Sequence, residues 1–326
     1  MLWVTWRQHR AELAAAVLLL LAVAVPLIVN GLAVREAYHA DGVAACVGDP
    51  TRPGCAVIVE RFTGHHAEWG QRMLWFAFVP LLVGVFVGAP LLAREFEHGT
   101  WKLAFTQSVG RARWLVVKLA VVGAVATALA AAVGLLITWW REPLDAIEGR
   151  LRSSAFIVAA PSLTAVTLFT FATGVLAGAL LRRTIAAMAV TLAAFLAVRL
   201  SVEEFLRPHY LRPKVRITDA VTTSEVGWRP ATEWVVDTGW IDRAGRRLSD
   251  AEEWAIIRDV YTGGDAVYGA GTPIERYLAD HGLRHYAEYH PAGAFWTFQL
   301  IESALFLALA AVLLTVAVHV VRRRTT

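Results

Sequence analysis

Six long stretches of apolar residues constrain this chain more than any other feature of its sequence. A helix needs roughly 20 apolar residues to cross a bilayer, and each stretch is close to that length. With 57% hydrophobic and 18% charged residues, the chain is too apolar for an ordinary soluble domain, and its two cysteines exclude a disulfide-dense scaffold. The first stretch is too long for a signal-peptide core, so we expect it to be retained. We predict six transmembrane helices, at residues 13–34, 73–93, 116–139, 156–181, 185–202 and 295–320.

The basic residues between these stretches lie mainly on one side of the membrane. If the N-terminal segment is cytoplasmic, the inner segments carry twelve Lys and Arg residues against three Glu, and the outer segments are more acidic than basic. Because Lys and Arg concentrate in cytoplasmic loops, this asymmetry predicts a multi-pass protein of the plasma membrane with both termini in the cytoplasm. It also accounts for the net charge of +4 without a nucleic-acid partner. The inner segments are then 1–12, 94–118, 182–184 and 321–326.

The resulting fold class is all-α and polytopic, with a small α+β domain outside the membrane between helices five and six. In the N-terminal segment, Trp3 and Trp6 fit either an aromatic anchor or a short helix lying at the membrane surface. We expect an interfacial segment at 1–12, helices one to five within 13–203 with a cytoplasmic coupling loop at 94–115, an extracytoplasmic domain at 204–294, helix six at 295–320 and a cytoplasmic tail at 321–326.

Local signals predict the elements of the extracytoplasmic domain. Residues Ser249 to Glu252 match a capping box and predict a helix to about Tyr261. The Thr-Pro-Ile-Glu sequence at 272–275 predicts a second helix that ends near Gly282. Apolar and aromatic residues in 215–241 predict one or two strands or extended loops.

Two further features predict contacts within the chain. Cys46 and Cys55 flank turn-forming residues in an outer, oxidising segment, so we predict a disulfide; two unpaired thiols are the alternative. Small residues at four-residue spacing allow helices to approach closely, and they occur in helices two and four. These glycines are Gly84, Gly88, Gly174 and Gly178.

Ionisable residues inside membrane spans are costly and therefore informative. Arg199 and Glu203 lie four residues apart in and just beyond helix five, and Glu302 lies in the first two turns of helix six. They fit either interfacial ion pairing or a polar element of a substrate path or gate. A stripe of threonines in helix four either lines the same path or bonds to its own backbone. The stripe consists of Thr167, Thr170 and Thr173.

The sequence lacks the motifs expected of an enzyme. It contains no Gly-x-x-x-x-Gly-Lys-Ser/Thr P-loop and no His-Glu-x-x-His motif. The pair Glu203-Glu204 faintly resembles the glutamates of CAAX-type intramembrane proteases, but the predicted helices hold no histidine other than His319. We therefore predict no catalytic residue, no metal site and no cofactor in this chain.

The coupling loop is the most informative segment because charged, small and aromatic residues follow one another in an ordered pattern. From residue 94 to residue 111 it reads REFEHGTWKLAFTQSVGR, a charged helix end followed by an amphipathic stretch and a basic turn. This pattern resembles the acid-x-Glu-x-Gly-Thr and Thr-Gln-Ser-x-x-Arg motifs of ABC transporter permeases of the type 2 exporter class, especially the actinobacterial ones. The likeness extends to residues 5–10 and 289–302.

The resemblance implies a permease that works with a separate ATPase and has no ATPase site of its own. Two ATPase subunits would bind ATP and Mg²⁺, the second permease would be another copy or a paralogue, and the bilayer would surround both. We expect export across the plasma membrane. The outer domain is longer than the hairpins of polysaccharide exporters of this class, which argues against a polysaccharide cargo. The residues expected to couple to the ATPase are Glu95, Phe96, Glu97, Gly99, Thr100, Trp101, Phe105 and Arg111.

Two other functions fit parts of the sequence. A non-transporting ABC complex would use the outer domain as a sensor or mechanotransmitter. An intramembrane protease would need metal ligands within the spans. A polar cavity lined by the threonine stripe would favour transport over sensing.

Overall fold

The computed structural model describes residues 2–98, 111–219, 230–262 and 273–324. Within these residues, six helices are long and apolar enough to cross a membrane, which confirms the predicted fold class. We call them spans 1 to 6. They cover Leu20–Ala40, Glu68–Glu97, Leu115–Glu148, Ala160–Leu181, Thr184–His209 and Ala292–Arg323.

Three of the spans belong to long single helices, at Leu2–Ala40, Arg111–Glu148 and Phe295–Arg324. The first has 39 residues and is about 58 Å long at 1.5 Å per residue, so it extends beyond a hydrocarbon core of roughly 30 Å. Span 5 continues from its α-helix, Thr184–Ser201, through a π turn at Val202–Leu206 and a 3-10 turn at Arg207–His209. Its helical path therefore continues beyond the predicted end at residue 202.

Span 2 changes helix type along its length because two prolines interrupt it. Pro80 and Pro90 lack an N–H group and cannot continue the regular hydrogen-bond ladder. Each lies at the second residue of a new α-helical piece. The successive pieces are an α-helix at Cys55–Met73, a 3-10 turn at Leu74–Phe78, an α-helix at Val79–Val83, a π turn at Gly84–Gly88 and an α-helix at Ala89–Glu97.

Span 4 is the centre of the bundle and packs against spans 2, 3, 5 and 6. The glycines singled out in the sequence lie where it meets span 2. A Cβ atom on Gly174 would lie 2.6 Å from the backbone nitrogen of Ala89, and one on Gly178 would lie 2.6 Å from the carbonyl oxygen of Ala89. The two backbones touch, and a side chain at either glycine would push the helices apart.

The predicted disulfide is present just after the C-terminal end of span 1. It joins Cys46, in the short helix Val43–Gly48, to Cys55 at the start of the next helix, with 5.4 Å between the two Cα atoms. Both cysteines are buried in an apolar cluster with Val59 and Phe62. The bridge therefore closes the connection between spans 1 and 2 over a packed core.

The residues between spans 5 and 6 form what we call the outer domain. Three antiparallel strands, β1 (Lys214–Asp219), β2 (Trp234–Ile241) and β3 (Arg284–His290), lie in the order β1-β3-β2. Two helices, Asp250–Thr262 and Pro273–Asp280, lie close to their predicted bounds. The central strand β3 was not predicted, because its sequence RHYAEYH contains few aliphatic residues.

The predicted capping box begins the first helix of the outer domain. Oε2 of Glu252 accepts hydrogen bonds from the backbone N–H of Ser249 at 2.7 Å and from its hydroxyl at 2.9 Å. These bonds, together with Arg246, lower the pKa of Glu252 from its ordinary 4.5 to about 2. The cap therefore stabilises the helix at neutral pH, and its contribution is lost as the pH falls from 4.5 towards 2.

Hydrogen bonds and ring contacts attach the outer domain to the spans. The backbone N–H of Ala231 donates to the carbonyl of Ile147 at the end of span 3, at 2.8 Å. The His290 imidazole lies with Nε2 3.0 Å from the carbonyl oxygen of Pro208 in span 5, and its ring packs 4.8 Å from Phe298 of span 6. The sheet thus rests on spans 3, 5 and 6.

Candidate functional site

Four charged side chains meet beside the outer domain, where span 5 ends and span 6 begins. We call them the charge cluster: Arg199, Glu203, Arg207 and Glu302. The side chain of Glu302 is fully buried and that of Arg207 is 1% exposed, whereas Arg199 is 10% and Glu203 26% exposed. Arg199, Glu203 and Arg207 follow one another at four-residue spacing along span 5, and Glu302 approaches from span 6.

Glu302 lies at the centre of the charge cluster and contacts both arginines. Its Oε1 accepts hydrogen bonds from Nη1 of Arg199 at 2.7 Å and from Nη2 of Arg207 at 3.1 Å. Its Oε2 accepts a third bond from Nε of Arg207 at 2.8 Å. Glu203 completes the cluster, with Oε1 3.4 Å from Nη1 of Arg207 and Oε2 3.8 Å from Nε of Arg199.

Polar groups around the charge cluster extend it to the start of span 4. The Ser162 hydroxyl donates to Oε1 of Glu302 at 3.2 Å, and its backbone N–H donates to the Gln299 side chain at 3.0 Å. The amide of Gln299 in turn donates to the carbonyl of Phe156 at 3.0 Å, and the Arg207 guanidinium lies 4.4 Å from the centre of the Phe156 ring. These contacts join spans 4, 5 and 6 at one point.

The cluster is electrically balanced, with two arginines and two glutamates. Buried charges are tolerated only when they are paired and hydrogen-bonded, and both conditions are met for Glu302 and Arg207. The structure thus brings together Arg199, Glu203 and Glu302, as the sequence indicated. We expected Arg207 to lie in the outer domain; this was wrong, and its four-residue spacing from Glu203 was the signal for its position on the same helix face.

The threonine stripe lies in a packed helix contact. Thr167 and Thr170 are fully buried and Thr173 is 9% exposed. The hydroxyls of Thr167 and Thr173 donate to carbonyls four residues earlier in span 4, at 2.7 and 2.9 Å. That of Thr170 donates to the carbonyl of Pro80 in span 2, at 2.6 Å. This geometry matches the interpretation in which the hydroxyls bond to the backbone rather than line a substrate path.

At the opposite end of the bundle, Glu95 and Glu97 of the coupling loop contact other spans of the same chain. Glu95 forms an ion pair with Lys118 of span 3. Oε2 of Glu97 accepts hydrogen bonds from the backbone N–H of Thr184 at 3.1 Å and from its hydroxyl at 2.7 Å. Thr184 begins the span 5 helix, so Glu97 caps the N-terminus of a neighbouring helix.

Phe96 also contacts the turn between spans 4 and 5, where the guanidinium of Arg182 lies 5.4 Å from its ring centre. The backbone of Arg182 is left-handed, with φ of 54°. The predicted coupling residues Gly99, Thr100, Trp101 and Phe105 lie outside the described residues, as does the side chain of Arg111. Direct contact of any of these residues with an ATPase stays a prediction.

Comparison with family models gives a match over much of the chain. The model of the family described as ABC-2 membrane transporter related matches residues 16–207, which is more than half of the 326 residues. The matched region includes nearly all of spans 1 to 5, the coupling loop and three members of the charge cluster. Neither the curated proteins nor the solved structures gave a significant match.

Proposed function

This chain belongs to the ABC-2 membrane transporter related family, and on that premise we propose that it is the permease subunit of an ATP-driven exporter. The family match is the observation that carries the proposal. Two copies of a separate ATPase would bind ATP and Mg²⁺, and a second copy or a paralogue of this chain would complete the membrane part. The chain itself would supply the path and the coupling, without phosphoryl chemistry.

The contacts of Glu95 and Glu97 support a role for the coupling loop. They fix the end of span 2 to Lys118 in span 3 and to Thr184 in span 5. A displacement of the loop would therefore move three spans together. We propose that the loop, residues 94–115, lies in the cytoplasm with both termini and transmits closure of the ATPase pair.

The charge cluster supports a rigid connection at the other end of the bundle. It joins spans 4, 5 and 6 directly below the outer domain, which rests on the same region through His290 and Pro208. Alternating access by rigid-body motion requires elements that move as units. We propose that these spans and the outer domain form such a unit, with the outer domain on the extracytoplasmic side. The predicted extracytoplasmic range, 204–294, is shortened to 210–291 because its two ends belong to spans 5 and 6.

Trp101→Ala tests the coupling role of the loop. Large aromatic anchors dominate protein interfaces. We therefore expect that the amount of ATPase that co-purifies with each permease chain falls at least about ten-fold in Trp101→Ala. The matched control is Trp254→Ala, because Trp254 is 69% exposed on the outer domain. The ATPase is quantified by mass spectrometry in samples of equal thermal stability. Equal retention in the two variants would contradict the assignment of the loop.

A non-transporting sensor or mechanotransmission complex is the second candidate. One observation favours it: the threonine stripe packs against span 2. A transporter would be favoured if the stripe instead lined a polar cavity. Both candidates need an ATPase. A transport assay in vesicles that contain the complex distinguishes them. An exporter would move a substrate across the vesicle membrane, whereas a sensor would show only ATP-dependent movement of the outer domain.

A further inference from the structure

A groove of about 710 Å³ opens between spans 3 and 6, at the end of the bundle away from the outer domain. Spans 3 and 6 both pack along span 4 but touch each other little, which leaves this space between them. Its walls come from residues between 116 and 127 of span 3 and between 314 and 322 of span 6, and its floor from Leu168 and Phe171 of span 4. We call it the span 3–6 groove. Its volume lies within the range of ligand pockets, roughly 300–1,000 Å³.

The length of the span 3–6 groove corresponds to one leaflet of a membrane. Residues 116 and 127 are separated by about 16 Å along a helix. This is close to half of a hydrocarbon core of roughly 30 Å. An acyl chain of one leaflet fits this length, whereas a spanning helix of a second protein would require a groove across the whole core.

The chemistry of the groove changes from apolar to basic along its length. The hydroxyls of Thr127 and Thr315 donate to carbonyls of their own helices. The part of the groove around these two threonines therefore presents mainly hydrocarbon. His319 and Arg322 lie at its end, and both are exposed. The lining contains no acidic residue among those that the structure describes. Arg322 lies one residue before the end of span 6, so we expect its guanidinium to reach the headgroup region of the bilayer.

We propose that the span 3–6 groove binds one anionic phospholipid. The acyl chain lies along Ala120 and Ala124 of span 3 and Thr315 of span 6, which are exposed in the groove. Beneath it, Gly123 lets span 3 pack closely against the ring of Phe171 and so closes the floor. The phosphate of the headgroup accepts charged hydrogen bonds from Arg322. The site depends on the membrane location of the chain and is independent of its role in transport.

Native mass spectrometry of the purified full-length chain tests this site. The chain is titrated with phosphatidylglycerol or with phosphatidylcholine of identical acyl chains, and we expect tighter binding of phosphatidylglycerol. Arg322→Gln should weaken phosphatidylglycerol binding about five-fold, the contribution of one basic residue near a charged membrane surface. Arg323→Gln removes the same charge from the adjacent residue, outside the groove, and should change binding by less than about two-fold.

A second pair of variants tests the apolar part of the groove. Ala124 is exposed and lines the groove, so Ala124→Phe should fold and should abolish binding of both lipids. Ala128, one turn further along span 3, is exposed outside the groove, and Ala128→Phe should bind both lipids normally. Equal affinity for the two lipids, equal effects of the two arginine variants, or normal binding by Ala124→Phe would each overturn the proposal. So would a dimer that Ala124→Phe dissociates, because a second copy would then occupy the groove.

Discussion

Replacement of Glu302 by glutamine should lower the free energy of unfolding by about 3–5 kcal/mol, the largest effect we expect from a single substitution. Glu302 is fully buried and accepts hydrogen bonds from both Arg199 and Arg207. Without its charge, the cluster would hold two arginines and only Glu203. A buried charge left without its partner costs more than the pair contributes, because it has no access to water.

Thermal unfolding in detergent measures this effect, and the midpoint should fall by roughly 6 °C or more. Glu148→Gln is the matched control, since Glu148 pairs with Arg152 at 3.1 Å on the surface, where such pairs contribute about 0–1 kcal/mol. Adding Arg207→Gln to Glu302→Gln should restore part of the stability, because it returns the cluster to charge balance. Equal midpoints for Glu302→Gln and Glu148→Gln would contradict the account of the cluster.

Gly174→Ala should also destabilise the protein strongly, by more than about 2 kcal/mol. A methyl group at this position would collide with the carbonyl oxygen of Gly84 and lie 2.6 Å from the backbone nitrogen of Ala89. Both obstacles are backbone atoms of span 2, which a change of rotamer does not relieve. Spans 2 and 4 would have to separate, at the contact that holds the centre of the bundle together.

Gly64→Ala is the control for this substitution. Gly64 lies in the helix Cys55–Met73, and nothing lies within 4 Å of a Cβ atom built there. Because alanine is the better helix former, Gly64→Ala should raise stability by up to about 1 kcal/mol. The unfolding midpoints of both variants are measured in the same detergent and compared with that of the unsubstituted protein. A neutral Gly174→Ala would mean that spans 2 and 4 do not touch through their backbones.

The spans and the outer helices were predictable because their signals are local. Apolar length predicts a membrane span, and the Ser249–Glu252 capping box predicts a helix start that the structure contains. Strand β3 escaped prediction because its central place in the sheet depends on pairing with two distant strands rather than on its own composition. The extension of span 5 to His209 escaped prediction because it proceeds by π and 3-10 turns.

The site was predictable only in part, for a related reason. Arg199, Glu203 and Glu302 stand out as charges at the ends of apolar stretches, but the bond from Glu302 to Arg207 depends on how two helices meet. Glu97 appears in the sequence as a residue free to bind a partner. Its bond to Thr184 joins positions 87 residues apart, and no local pattern indicates such a pairing.

The composition of the intact complex tests the proposed function most directly. A tagged chain is purified from its native membranes, and the mass of the complex and its rate of ATP hydrolysis are measured. We expect two ATPase subunits, each with a P-loop, bound to this chain and a second permease chain, with ATP hydrolysis that co-migrates with them. Isolation of the stable, folded chain without any ATP-hydrolysing subunit would contradict the proposal that it is the membrane half of an ATP-driven exporter.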